Sequence, residues 1–109
     1  MTYTIKIQEV EVFLNGTLIA NSKEIDAIIY REQNGKVRSI MFSGEFINQV
    51  NHPENYLKVK EKYTISFKEE NLFPGAKIAI ENTKLSDLEK CAPIYDYDSY
   101  LLTFVLQRQ

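Results

Sequence analysis

Asn-Gly occurs twice, at Asn15-Gly16 and Asn34-Gly35, each time between two runs in which apolar and polar residues alternate. A two-residue type I′ turn needs positive φ at both central positions and matches the twist of paired strands, so Asn-Gly in this setting predicts an antiparallel hairpin. The first pair joins a strand ending at Leu14 to one running from Thr17 to about Asn21. The second joins Glu24–Glu32 to Lys36–Ser43, with Ile25–Tyr30 set against Val37–Phe42. Within the opening segment Ile5 and Ile7 share one parity, while Val10, Val12 and Leu14 share the other. Both halves can face one core only if an extra residue intervenes near Glu9, as in a bulge or bend.

The rest of the chain continues the pattern. Tyr56 to Lys68 reads as one long strand with Leu57, Val59, Tyr63, Ile65 and Phe67 inward and a wet lysine face, interrupted by Glu61 on the apolar side. Pro74-Gly75 marks a turn into a strand over Lys77–Glu81, and Tyr100 to Leu106 is too apolar for a solvent-facing edge. Phe46, Ile47 and Val50 leave the segment 45–50 open between helix and strand. Ser86-Asp87-Leu88-Glu89 has the form of a capping box, which predicts a short helix over residues 86–92 stopped by Pro93. The expected architecture is a mainly β, antiparallel sandwich or half-barrel with that one helix, as a single domain over residues 1–109.

A chain of 109 residues hides roughly two thirds of its unfolded surface, enough for one core. Thirteen basic against fifteen acidic residues give a net charge of -2, which supplies no general attraction to nucleic acid or anionic lipid. No apolar run approaches the ~20 residues of a membrane span, and Met1–Ile7 lacks the charged and apolar regions of a signal peptide, so the expected compartment is the cytoplasm. One His52 and one Cys91 cannot build a zinc site of the usual ligand types or an internal disulfide, and no cofactor or metal is expected.

His52 is the one side chain that ordinarily titrates near neutrality, yet it sits in the turn Asn51-His52-Pro53-Glu54-Asn55 without a nucleophile beside it. A solvated or capping role suits it better than catalysis, and Cys91 reads as a small buried hydrophobe. An enzyme would need His52 brought beside Cys91 or Asp96. Tyr95, Asp96, Tyr97, Asp98 and Tyr100 form an acidic, tyrosine-rich loop. Its carboxylates lack the number and spacing of a calcium loop, and tyrosine joins an apolar face to a polar tip as protein interfaces favour. Lys58, Lys60 and Lys62, with Lys68, would line the wet face of the long strand. There they could follow a phosphate backbone, prevent edge-to-edge aggregation, or meet acidic groups such as Glu69, Glu70 or Asp96 on a second copy. These tyrosines, aspartates and three lysines are the candidate partner-binding residues.

Val12-Phe13-Leu14-Asn15-Gly16-Thr17-Leu18-Ile19-Ala20 resembles the opening of small tail-tube proteins of phages and phage-like contractile particles, and Ala76 to Leu88 is similar to their closing segment. The resemblance implies a β-sandwich or half-barrel with one helix, assembling into rings through strands and long hairpins. A non-enzymatic particle component, whose partners are itself and other particle proteins, is the leading expectation. A small binding module or inhibitor that recognises a protein through the Tyr95–Tyr100 loop is the alternative.

Overall fold

The computed structural model describes residues 1–107. Six strands follow in order: β1 (Thr2–Leu14), β2 (Thr17–Arg31), β3 (Val37–Asn48), β4 (Lys62–Lys68), β5 (Lys77–Ile94) and β6 (Tyr97–Gln107). All pairings are antiparallel, and the sheet closes on itself in the order β1-β2-β3-β6-β5-β4. The mainly β, antiparallel expectation is met, and its closed form is a barrel rather than a sandwich or half-barrel. Closure pairs backbone groups that an open sheet would leave at its edges.

The first Asn-Gly forms the tight turn its sequence predicts, with Asn15 at φ 50° and Gly16 at φ 84° and Leu14 opposite Thr17. At the second, only Gly35 takes positive φ. Gly35 N–H donates to the Glu32 carbonyl at 2.9 Å, and Glu32 N–H to the Lys36 carbonyl at 2.8 Å, so the connection is wider than two residues. Its flanks pair as expected, Ala27 with Phe42 and Tyr30 with Ser39. The extra residue near Glu9 is present. Glu9 has φ 48°, and the β1–β4 register slips between Gln8 and Glu11. That slip allows Ile7, Val10 and Val12 all to be buried despite their opposite parities.

Inward side chains fill the barrel with a packed aromatic cluster. Phe42 lies 5.9 Å from Phe67, Phe46 meets Phe104 edge-on at 5.9 Å, and Tyr63 meets the same ring edge-on at 5.5 Å, each distance between ring centroids. Pro53 and Leu57, on the connection from β3 to β4, are also buried. Gly44 of β3 allows β2 to approach, since a Cβ there would meet Ile25 Cγ2 at 2.4 Å.

Several expectations are corrected. The two strands expected over 17–21 and 24–32 are one, β2, whose register against β3 slips between Asn21 and Asp26. Segment 45–50 is strand as far as Asn48. The helix expected over 86–92 is the second half of β5. A helix of so few residues is marginal on its own, whereas the strand pairs Leu85 with Phe104 and Leu88 with Leu102 and leaves Leu85 fully buried. Ser86 occupies a register slip between Leu85 and Asp87, and its hydroxyl donates to the Thr103 carbonyl at 3.1 Å instead of capping a helix. The long strand expected from Tyr56 begins only at Lys62, because a 3-10 turn at Pro53–Asn55 and a bend through Lys60 precede it. Lys58 and Lys60 therefore do not share a strand face with Lys62. Among the described residues no helix is long and apolar enough to cross a membrane.

Candidate functional site

The tyrosine-rich loop is the tip of the β5–β6 hairpin. Ile94 lies opposite Tyr97, so Tyr95 and Asp96 are the two central residues of the turn, with φ 47° and 66°. This is the conformation that Asn15-Gly16 adopts in the first hairpin, here imposed on a bulky residue. Positive φ for a bulky side chain is uncommon and costs on the order of 1 kcal/mol or more. Tyr95 is 89% exposed and Tyr97 60%, so neither ring recovers that cost by burial. Tyr100 differs: it packs half-buried against the core, and burial raises its hydroxyl pKa, with Lys90 opposing and Asp98 and Glu54 adding to the rise.

The hairpin that carries the tip is stiffened from within. The register slips again between Cys91 and Ile94, where Pro93 has no N–H to donate, and the buried Ser99 hydroxyl donates to the Ala92 carbonyl at 2.7 Å. Lys90 Nζ stands 3.7 Å from Asp98 Oδ1 across the two strands. Beyond Leu85, β5 pairs with β6 alone. A cavity of about 390 Å³ lies beside the tip, walled by Asn48–Asn51 and Asp96–Asp98.

The lysines divide. Lys68 pairs with Glu9 at 3.2 Å, Lys77 with Glu11, and Lys6 with Asp26 at 2.9 Å. Lys60, Lys62 and Lys84 have no carboxylate within ion-pair distance among the described residues, and all three line one cleft of about 540 Å³. Lys62 and Lys84 are direct cross-strand partners on the outer face, and like charges directly opposite one another disfavour pairing. Lys60 has φ 78°, and its N–H donates to the Leu85 carbonyl at 2.8 Å while Leu85 N–H donates to the Glu61 carbonyl at 2.9 Å. Two residues thus oppose one in a bulge whose left-handed position normally favours glycine. Val59 and Val105 give the cleft apolar surface, and Asn82, Ser86 and Gln107 add polar groups. Lys58 is exposed and is not among the cleft residues.

Tyr63 holds the segment leading into this cleft. Its buried hydroxyl donates to the Tyr56 carbonyl and accepts from Lys58 N–H at 2.9 Å. Desolvation raises its pKa, the Lys58 amide opposing and Glu61 reinforcing the rise.

His52 is an exposed residue at φ 57° before the 3-10 turn, with Nδ1 3.3 Å from Glu54 Oε1. Cys91 is partly exposed, its Sγ 3.7 Å from the Glu89 carbonyl. Neither lines the cavity beside the tip. No cluster of three or more metal-ligating residues exists among the described residues. Sequence reasoning reached the tip residues but missed Lys84, whose partnership with Lys62 depends on the β4–β5 register. No protein-family model, curated protein or solved structure matches the chain.

Proposed function

We propose that the protein is a non-enzymatic assembly component, of the kind the tail-tube resemblance implies, acting through the β5–β6 hairpin. The observation that carries this reading is the Tyr95-Asp96 turn. A sequence selected only for folding would place Asn-Gly or a similar pair there, as the first hairpin does. A strained, exposed tyrosine flanked by a second exposed tyrosine and two aspartates suits recognition instead, since tyrosine supplies rigid contact area at low entropic cost. Closure of the barrel limits assembly by strand addition along its paired strands, and the hairpin tip projects beyond them.

A second reading, a binding module for a different protein, is favoured by the polar cavity beside Tyr97, which offers a recess to a partner's side chain. Molar mass by light scattering across a concentration series separates the two. Mass that rises with concentration supports self-assembly; a monomer at every concentration removes it and leaves the binding module. Tyr95→Ala/Tyr97→Ala should abolish whichever contact exists while preserving the fold. Tyr100 stays unchanged in that variant because it packs on the core.

A further inference from the structure

The Lys60, Lys62 and Lys84 cleft presents three ammonium groups beside Val59 and Val105, and among the described residues no carboxylate lies within ion-pair distance of them. Two features oppose folding here, a like-charge cross-strand pair and a lysine in a left-handed bulge position. The tip of the β5–β6 hairpin has the complementary composition, carboxylates and exposed phenol rings. We infer that the Tyr95-Asp96 tip of one molecule docks into the lysine cleft of a second copy. The inference rests on the assembly reading and names its partner and contact.

Geometry makes the contact intermolecular. Lys84 and Tyr95 are eleven residues apart on the same strand and its turn. At ~3.3 Å per residue this is roughly 30 Å even after the bulges shorten it. The molecule extends 45 Å along its long axis, so tip and cleft lie far apart on one body and cannot meet within it. A tip fitted into a distant cleft is a head-to-tail contact, which closes into rings or runs on as a filament. The cleft's volume of about 540 Å³ falls in the range of roughly 300–1,000 Å³ that ordinarily takes a compact ligand, a size that suits a two-residue turn with one tyrosine ring. Asp98 is held by Lys90, which leaves Asp96 as the carboxylate free to face the lysines.

The test uses two variants, each with one damaged surface. Tyr95→Asn/Asp96→Gly rebuilds the tip as the preferred turn sequence and should leave thermal stability equal or higher. Lys60→Gln/Lys62→Gln/Lys84→Gln removes the positive charge and relieves the Lys62–Lys84 repulsion, so it too should not lower stability. The expected result is that wild type assembles at low salt and dissociates as salt screens the contact. Each variant should require at least a tenfold higher concentration to assemble, and an equimolar mixture of the two should stop at a heterodimer, because only one intact tip and one intact cleft remain. Assembly that survives the lysine variant but not the tip variant overturns the cleft as the receptor while leaving hairpin-driven assembly standing. A wild type that stays monomeric at low salt overturns both. If free phosphate or polyphosphate, but not the second copy, is bound by wild type and lost in the lysine variant, the cleft is an anion site and the docking inference fails.

Discussion

Replacing Tyr63 with Phe removes one oxygen and leaves the edge-on contact with Phe104 in place. The oxygen makes two hydrogen bonds, to the Tyr56 carbonyl and from the Lys58 amide, and the side chain is 2% exposed. A typical bond contributes about 0.5–1.5 kcal/mol net, and each partner left dry raises the loss toward about 1–3 kcal/mol. Lys58 is exposed, so water can serve its amide, and the expected total is about 2 kcal/mol. For a domain of this size that lowers Tm by roughly 8 °C. With a urea m-value of about 1.5 kcal/mol per molar, the midpoint falls by ~1.3 M and the slope does not change. Urea titration followed by circular dichroism measures both, with Tyr30→Phe as control because Tyr30 is 48% exposed. Amide exchange should accelerate at Lys58 beyond the global change. A loss below ~0.5 kcal/mol, within the usual range for surface substitutions, would refute the claim that this hydroxyl fastens the approach to the lysine cleft.

The raised pKa of Tyr63 has its own consequence: the unfolded tyrosine ionises at ~10 while the folded one keeps its proton longer, so stability holds below pH ~10 and falls as pH rises through the folded value. Tyr63→Phe should flatten that alkaline fall in denaturation midpoints, Tyr100 accounting for part of what remains. Gly44→Ala should cost about 1–3 kcal/mol, because the new methyl collides with Ile25, and Ile25→Ala in the same chain should recover part of it in a double-mutant cycle. Glu69→Ala should cost about 2 kcal/mol and expose residues 69–75 to proteolysis, since the buried carboxylate accepts from Asn71 N–H at 3.0 Å and Leu72 N–H at 2.6 Å. An unchanged Tm and cleavage pattern would show that this turn does not depend on Glu69.

Alternation and turn chemistry are local signals, and where they operate alone the sequence is legible. The Asn15-Gly16 hairpin, the bulge at Glu9 and the pairing of 25–30 with 37–42 all follow from residues near one another in the chain. Ser86–Glu89 shows the limit. Its hydroxyl and carboxylate suit a helix start, but the burial of Leu85 opposite Phe104 depends on a strand nineteen residues away and overrides the local preference. The same limit hid the lysine cleft. Lys58, Lys60 and Lys62 alternate as if on one strand face, whereas the left-handed bend at Lys60 and the pairing of Lys62 with Lys84 replace Lys58 by Lys84. The acidic tip was visible as composition; that it is a strained two-residue turn became visible only with Ile94 set opposite Tyr97.

The strand order also divides the chain into two meanders, β1-β2-β3 and β4-β5-β6, sewn together along two seams of unequal strength. The β3–β6 seam runs without interruption from Ser39 opposite Gln107 to Ile47 opposite Ser99. The β1–β4 seam spans only Gln8 opposite Lys68 to Phe13 opposite Thr64, and the Glu9 bulge breaks it. Thermal opening of the barrel should therefore begin between β1 and β4, hinging the two meanders about β3–β6 while each keeps its own hairpins. An unzipped molecule of this kind exposes two matching edges at once, and at high concentration those edges would find each other in neighbouring molecules, making the weaker seam the place where exchange of meanders between copies would start.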